Sequence, residues 1–293
     1  MAFNVQTFKT RALTAVIFVA IMLAGLLWNH WAFFILFSVI HFGCWIEYQK
    51  LVGLIDPEYQ KSTREQKYGV MIAGWAFMLF MTGSAYSIGN VSFHHIGAVL
   101  LVISIISLTL LVVFQKKPFS VTWLVYSLLG LLYISLSWAL MLDIRSTGII
   151  SQGFHVFYDT GWIIPVILIA SIWINDTMAY IVGSFIGKTP FSKISPKKTW
   201  EGVAGGAILC VVVVTLAGYY LFQFKDVVTL VVVSLIAAVV GTSGDLLESK
   251  LKRMAKVKDS GQIMPGHGGF LDRFDSLILA VPFVWVYVIL FGI

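Results

Sequence analysis

The residues best suited to chemistry lie close together in the last quarter of the sequence, between Asp245 and Asp275. Carboxylates stand at both ends of this stretch, basic side chains fill its middle, and a glycine-rich turn precedes the last acids. Carboxylate oxygens suit Mg²⁺, cations suit phosphate groups, and glycines let a backbone come close to a ligand. The stretch therefore indicates magnesium-assisted phosphate chemistry. Its charged residues and histidine include Asp245, Glu248, Lys250, Lys252, Arg253, Lys256, Lys258, His267, Asp272 and Asp275.

Helical spacing would gather the acids at each end of the stretch on one face. Residues at i, i+3, i+4 and i+7 share a helix face. Two such faces joined by a glycine turn can hold one metal ion between them. The first face would carry Asp245, Glu248, Ser249 and Lys252, and the second, on a helix that begins near Phe270, would carry Asp272, Asp275 and Ser276.

The same stretch resembles the signature of the phosphatidate cytidylyltransferase family, whose members are also called CDP-diacylglycerol synthases. Its one departure is Met264, where the family has Leu, Ile or Phe, and this exchanges one apolar residue for another. A match with fixed gaps over about 27 residues is far more specific than a short glycine motif. The matching residues are Ser249, Leu251, Lys252, Arg253, Lys258, Asp259, Gly261, Pro265, His267, Gly268, Gly269, Asp272, Arg273 and Asp275.

The composition of the whole chain is that of a membrane protein. Of its 293 residues, 59% are hydrophobic, whereas soluble proteins have roughly 45–50%. The formal net charge is +6, but no basic stripe is interleaved with exposed aromatics, so nucleic acid is not an expected partner. We predict an all-α polytopic membrane protein in which residues 1–293 form a single integral membrane domain, with the catalytic signature in residues 175–275.

Nine apolar runs have about the length needed to cross a ~30 Å hydrocarbon core. The second is the weakest, because His41 and Glu47 interrupt it. No loop reaches the ~50 residues that a soluble domain requires, so we expect the chemistry to occur at the membrane face. The runs cover residues 13–28, 31–44 and slightly beyond, 68–88, 96–114, 121–142, 162–186, 203–222, 227–244 and 271–291.

Basic residues indicate how these runs are oriented. If successive loops alternate between the membrane faces, 18 of the 20 Lys and Arg residues lie on one side, and only Arg145 and Lys225 lie on the other. Cytoplasmic loops carry the excess of Lys and Arg. We therefore predict that the N-terminus and the candidate site are cytoplasmic and that the C-terminus is outside. The outer loop 143–161 is poor in charge and suggests no role.

An ionisable residue, Asp176, interrupts the sixth run. Such a residue costs ~2.5–3.5 kcal/mol on insertion scales and marks a functional site by default. Tyr180 and Ser184 continue its helix face, so the three could line a polar cavity, although Asp176 could instead fix helix packing through hydrogen bonds. Asn175 to Tyr180 also resembles an Asn-Asp-Thr-x-Ala-Tyr segment of the family, which implies substrate contacts for Asn175 and Tyr180.

A second polar segment, residues 195–202, precedes the seventh run and reads Ser-Pro-Lys-Lys-Thr-Trp-Glu-Gly. It offers two helix starts, with either Ser195 or Thr199 as the N-cap. Both starts place Lys197 and Lys198 near free amide hydrogens that attract phosphate. The alternative is ordinary anchoring of the chain by positive charge. The family has a similar segment, which favours substrate binding by Ser195, Lys197, Lys198 and Thr199.

Two glycine pairs follow the small-xxx-small spacing that lets helices approach closely. They are Gly183 with Gly187, and Gly202 with Gly206. We expect them to pack helices within one chain rather than to form a dimer seam.

The resemblance implies that CTP and phosphatidic acid react to give CDP-diacylglycerol and pyrophosphate. Because the second pKa of a phosphate monoester is ~6, the lipid phosphate needs no strong base, and the difficulty is to bring two polyanions together. Mg²⁺ held by Asp245 and Asp272 would neutralise charge, and Asp176 could hold a second cation or orient a water. Fixed positive charge would come from Lys197, Lys198, Lys252, Arg253, Lys258 and Arg273, and further substrate contacts from Ser249, His267, Gly268 and Gly269.

Two other functions share part of this pattern. A secondary transporter should show inverted repeats and a site at the midplane, and the sequence shows neither. A CTP-dependent lipid kinase would transfer the γ-phosphate and release CDP, so the products distinguish it. The resemblance further implies contact with membrane lipids, leaves a homodimer open and, together with the short loops, favours a bacterial inner membrane.

Overall fold

The computed structural model describes residues 5–115, 120–152, 155–263 and 268–292. Within these ranges the chain is a succession of helices, with a π-helical turn at Leu131–Ser135 and two antiparallel hairpins. The helices are α1 Val5–Leu27, α2 His30–Ile55, α3 Pro57–Gln60, α4 Arg64–Phe80, α5 Phe93–Phe114, α6 Val121–Gly130, α7 Leu136–Thr147, α8 Ile163–Ile186, α9 Trp200–Tyr220, α10 Val227–Met254 and α11 Leu271–Phe291. The strands are β1 Ser87–Ile88, β2 Val91–Ser92, β3 Ile149–Gln152 and β4 His155–Asp159.

The prediction of an all-α polytopic membrane protein is confirmed. Across the described ranges, seven helices are long and apolar enough to cross a membrane, counting α6, the π-helical turn and α7 as one helix, Val121–Thr147. They lie at seven of the nine predicted runs. At the other two runs, the apolar part of α1 is the shorter helix Ala12–Leu27, and α4 has 17 residues. The count of nine and the sidedness of the termini stay predictions.

The predicted ends of the second and third runs are wrong. The second run was expected to end soon after residue 44, but α2 continues to Ile55. Its polar residues His41 and Glu47 are both buried, and each hydrogen-bonds to a partner elsewhere in the chain, so they do not end the helix. The third run was expected to reach residue 88, but α4 ends at Phe80 and the chain turns into the β1–β2 hairpin.

Contacts between Cα atoms divide the chain into two compact units. The first unit comprises Met1–Trp162 and Met254–Arg273, and the second comprises Ile163–Arg253 and Phe274–Ile293. The described residues of the segment that joins α10 to α11 therefore belong to the same unit as the N-terminal helices. The single integral domain expected from the sequence stays a prediction.

In the first unit, a polar cluster accounts for the histidine in α2. Ser135, at the end of the π-helical turn, hydrogen-bonds His41 Nε2 at 3.0 Å and accepts a hydrogen bond from Trp45 Nε1 at 2.9 Å. Gly74 of α4 is close to this cluster, since a Cβ there would lie 2.1 Å from Ser135 Oγ. A histidine that appeared to weaken an apolar run is thus a buried packing residue.

The β3–β4 hairpin of the first unit is held by an ion pair whose guanidinium is buried. Arg145 of α7 donates from both Nη1 and Nη2 to the two carboxylate oxygens of Asp159, each at 2.6 Å. The Arg145 side chain is only 1% exposed and lies over the ring of Phe33. Because the carboxylate compensates a desolvated guanidinium, the pair holds the end of β4 against α7.

In the second unit, small residues let α8 and α9 pack closely. A Cβ on Gly206 would lie 2.7 Å from Ala179 Cβ, and one on Gly202 would lie 2.8 Å from the Ala179 carbonyl. Gly187 approaches Thr199 in the same way. The prediction that these glycines pack helices within one chain is confirmed.

Candidate active site

In the second unit, an ion pair joins two of the predicted site residues. Lys198 Nζ contacts Asp245 Oδ2, and the two side chains are 29% and 24% exposed. Lys198 comes from the loop before α9 and Asp245 from α10. The second polar segment and the signature helix therefore meet at a place that solvent and ligands can reach.

The loop that presents Lys198 is held in shape by its own hydrogen bonds. Phe191 N donates to the Lys198 carbonyl at 2.8 Å, and Thr199 pairs with Pro190 as an isolated bridge. The Glu201 carboxylate accepts hydrogen bonds from the backbone N–H groups of Lys188 and Thr189, at 3.2–3.3 Å. Glu201 thus anchors the start of the loop to the first turn of α9.

Thr199, not Ser195, is the N-cap of α9. Its hydroxyl accepts a hydrogen bond from Gly202 N at 3.1 Å, and helical structure begins at Trp200. The alternative in which Ser195 starts a helix is wrong, because residues 191–198 form bends and a turn. Lys197 is exposed in this turn. Both lysines therefore precede a helix N-terminus, as expected, although the substrate roles of Ser195 and Thr199 stay predictions.

On α10, the predicted shared face is present and partly buried. Glu248 is fully buried, and Lys252 Nζ lies 2.5 Å from its Oε2. Ser249 is half-buried, and Arg253, at the end of the helix, is exposed. Lys252 thus neutralises a buried carboxylate, one turn away from the Lys198–Asp245 pair.

A further carboxylate, Asp275 of α11, belongs to the same unit. It is 9% exposed, and its Oδ1 accepts a hydrogen bond from Ser276 N at 2.6 Å. Asp245, Glu248 and Asp176 are all close enough to interact with it electrostatically. The second unit therefore concentrates negative charge around Asp275, with Lys198 and Lys252 as counter-charges.

The Asn-Asp-Thr segment of α8 divides its residues between two environments. Asn175 is 4% exposed, and its Nδ2 lies 3.5 Å from Thr242 Oγ1 of α10. Asp176, Tyr180 and Ser184 are exposed and share one face, as their spacing predicted. Asn175 thus packs α8 against α10, whereas the exposed face is open to a ligand.

In the first unit, the carboxylate of Asp272 is fixed in the first turn of α11. Its Oδ2 accepts hydrogen bonds from Ser260 N at 2.9 Å and Gly269 N at 2.7 Å, and it lies 2.9 Å from Ser260 Oγ. Gly268 has a φ of +83°, and a Cβ there would lie 2.4 Å from Asp272 Oδ2. Gly268 therefore makes room for this carboxylate.

Other signature residues of the first unit carry less information. Lys258 and Arg273 are exposed. His267, together with Met264 and Pro265, lies outside the described residues.

The proposed ligands Asp245 and Asp272 suit Mg²⁺ because both are carboxylates, and carboxylate oxygens are ligands that Mg²⁺ prefers. In the part of the chain that the structure describes, no group of three or more His, Cys, Asp or Glu residues is arranged to hold a metal ion. Mg²⁺, however, is usually bound through one or two carboxylates together with waters and substrate phosphates. Asp245 and Asp272 meet that requirement in type, and because they belong to different units, their joint use as ligands stays a prediction.

Sequence reasoning missed Glu47 of α2. This buried side chain accepts hydrogen bonds from Ser260 Oγ, Phe270 N and Leu271 N, at 2.7–2.9 Å. A signal was available, because an ionisable residue inside an apolar run marks a functional site by default. The rule that marks Asp176 applies equally to Glu47, which interrupts the second run.

Comparison with known proteins identifies the family of this chain. A family model described as the cytidylyltransferase family matches residues 9–291. Three relatives, each named phosphatidate cytidylyltransferase, come from Synechocystis sp., Bacillus subtilis and Staphylococcus aureus, and are 36%, 34% and 38% identical to this chain over 193, 220 and 179 residues. The alignments cover 60%, 74% and 60% of this chain, and 66%, 76% and 64% of the relatives. In two of the three, the chain thus spans slightly less than two thirds of the relative's length.

Proposed function

Because this chain belongs to the cytidylyltransferase family, we propose that it is a phosphatidate cytidylyltransferase, which joins CTP to phosphatidic acid and releases pyrophosphate. Its relatives in three bacteria carry that name. The observation that carries the proposal is the ion pair between Lys198 and Asp245. It joins the loop before α9, whose lysines suit phosphate groups, to α10, whose carboxylates suit a metal ion.

In the proposed reaction, an oxygen of the lipid phosphate attacks the α-phosphorus of CTP. The bond from that phosphorus to the oxygen that bridges to the β-phosphate breaks, and pyrophosphate leaves with the electron pair. Since a phosphate monoester has a second pKa of ~6, the attacking oxygen is already largely anionic at neutral pH. No side chain has to act as a strong base, so the protein mainly positions and neutralises its two anionic substrates.

Basic side chains supply the fixed positive charge. Lys198 and Lys252 each lie against a carboxylate and can exchange it for a phosphate oxygen when substrate binds. Four further exposed cations of the motif segments are proposed to contribute positive charge. They are Lys197, Arg253, Lys258 and Arg273.

The acids account for the proposed metal requirement. Bound Mg²⁺ would neutralise charge on the α-phosphoryl group and on the departing pyrophosphate. Asp245 and Asp272 are the proposed ligands, and Asp176 is the candidate for a second cation. Ser260 and Gly269 orient the Asp272 carboxylate before any ligand binds.

The membrane supplies the second substrate. The exposed face of Asp176, Tyr180 and Ser184 is a polar strip on a helix that is apolar enough to cross a membrane. A lipid could place its phosphate against such a strip while its acyl chains stay in the bilayer. We propose a bacterial inner membrane, because the relatives are bacterial. We propose that the site faces the cytoplasm, because 18 of the 20 basic residues fall on one predicted side.

Product identification tests the proposal. The purified protein is incubated with phosphatidic acid, varied Mg²⁺ and CTP labelled in the α-phosphate. The expected result is label in the lipid, with one pyrophosphate released per CDP-diacylglycerol. Transfer of a γ-phosphate label to the lipid with release of CDP would instead identify a lipid kinase, and uptake of unchanged substrate by vesicles would identify a transporter.

A further inference from the structure

Glu47 is a buried carboxylate that accepts hydrogen bonds from Ser260 and Phe270, ahead of α11, and from Leu271, the first residue of α11. Its Oε1 accepts a hydrogen bond from Phe270 N at 2.9 Å, and its Oε2 accepts from Leu271 N at 2.9 Å and from Ser260 Oγ at 2.7 Å. The two backbone groups are among the first N–H groups of a helix, which have no partner within the helix. A negative charge at this end also complements the helix dipole.

The segment is shaped to receive this side chain. A Cβ on Gly261 would lie 2.1 Å from Glu47 Oε1, and a Cβ on Gly269 would lie 2.2 Å from both carboxylate oxygens. Any larger residue would displace the carboxylate. Two glycines of the signature are therefore explained by Glu47, a residue 213 positions before Ser260 in the chain.

Ser260 links Glu47 to the proposed metal ligand. Its hydroxyl lies between Glu47 Oε2 at 2.7 Å and Asp272 Oδ2 at 2.9 Å, and it also accepts a hydrogen bond from Asp272 N at 3.3 Å. Ser260 is 1% exposed, so water does not compete for these contacts. A displacement of Glu47 would therefore move the Asp272 carboxylate.

From these contacts we infer that Glu47 is a positioning residue for the metal and phosphate chemistry. It fixes Ser260, Phe270 and Leu271, and through Ser260 it sets the place and orientation of the Asp272 carboxylate. The inference rests on the proposed function. A residue with only a structural role would stabilise α11 without affecting how the protein binds a divalent cation.

The decisive variant is Glu47→Gln, which keeps the shape of the side chain but removes its charge and half of its acceptor capacity. Mutation of a residue that hydrogen-bonds to a metal ligand typically lowers metal affinity or activity by about 10- to 100-fold. We therefore expect the purified variant to bind Mn²⁺ at least about 10-fold more weakly than the wild type. Binding is measured as the decrease in the electron paramagnetic resonance signal of unbound Mn²⁺. The Mg²⁺ concentration for half-maximal turnover should rise by a similar factor.

The matched control is Asp226→Asn. Asp226 caps α10, since its carboxylate accepts a hydrogen bond from Thr229 N at 3.1 Å, so this variant also changes a carboxylate at a helix N-terminus into an amide. It should leave Mn²⁺ binding unchanged. Hydrogen exchange of peptides covering residues 255–272 should increase in Glu47→Gln and not in the control.

Ser260→Ala keeps the inference testable if Glu47→Gln does not fold. It removes the link between the two carboxylates but leaves the Ser260 and Gly269 N–H groups on Asp272, so it should weaken Mn²⁺ binding by a smaller factor. Unchanged Mn²⁺ affinity in both folded variants, or in Ser260→Ala alone if only that one folds, would overturn the inference even if their turnover fell. A wild-type protein that binds Mn²⁺ but makes no CDP-lipid would instead count against the proposed function.

Discussion

Lys198 and Asp245 form an ion pair although they come from two different polar segments of the sequence. Each side chain is about one quarter exposed, at 29% and 24%. The lysine is therefore available to an anionic ligand and the carboxylate to a cation. This pair is the point at which the loop before α9 and the signature helix α10 can act together.

Replacement of Asp245 by Asn tests its proposed metal role. A metal ion supplies several kcal/mol of charge stabilisation, and each ~1.4 kcal/mol is worth a factor of ten in rate. We expect Asp245→Asn to lower turnover at least about 100-fold. The melting temperature should change little, because partly exposed ion pairs contribute about 0–1 kcal/mol. Turnover and thermal unfolding are measured on the same detergent-purified sample, and undiminished turnover would remove Asp245 from this role.

Replacement of Lys198 by Met tests its role in nucleotide binding. The change removes one fixed positive charge and frees Asp245 from its partner. The KM for CTP should rise about 3- to 10-fold, whereas the Mg²⁺ concentration for half-maximal activity should not rise. Lys193→Met is the control, since Lys193 is exposed in the same loop and has no proposed role. Equal effects of the two substitutions on the KM for CTP would show that Lys198 contributes only general positive charge and has no specific role in CTP binding.

Two basic residues on the predicted outer side should respond differently to substitution. Arg145 is buried in a bidentate pair with Asp159, so Arg145→Met should destabilise the protein by about 3–5 kcal/mol. Lys225 lies over the ring of Tyr219 at 4.1 Å and is exposed, so Lys225→Met should leave both melting temperature and turnover nearly unchanged. A large loss of turnover in Lys225→Met would show that the predicted sidedness is wrong.

The close packing of α8 and α9 can be tested at Gly206. A Cβ at this position would lie 2.7 Å from Ala179, so Gly206→Leu should destabilise the protein by about 1–3 kcal/mol or more through overpacking. Ala204→Leu, on an exposed position of the same helix, is the matched control and should cost little. Thermal unfolding of the two variants provides the comparison. Equal melting temperatures would contradict this packing.

Much of the molecule follows from local features of the sequence. The apolar runs placed the membrane helices, and the last of them coincides with α11, Leu271–Phe291, because the length of an apolar run is a local property. The motif residues identified the family, since their spacing is read along the chain. Helical spacing also put Asp176 and Tyr180 on one exposed face of α8.

Errors arose where a polar residue finds its partner elsewhere in the chain. His41 and Glu47 appeared to weaken the second run, but Ser135 and Ser260 compensate their burial, and α2 continues to Ile55. Ser195 was an acceptable N-cap on composition alone. The hydrogen bonds of the loop with Phe191 and Glu201 favour the start at Thr199 instead.

The sequence by itself therefore determined the class of protein, the approximate helices and the residue types of the site. Only the tertiary structure decided that Lys198 meets Asp245 and that Glu47 holds the segment before α11. The physical reason is that periodicity and motif spacing describe which face of a helix a side chain occupies. The partner of that face is set by packing between segments far apart in the chain, here a glutamate and a serine separated by 213 positions.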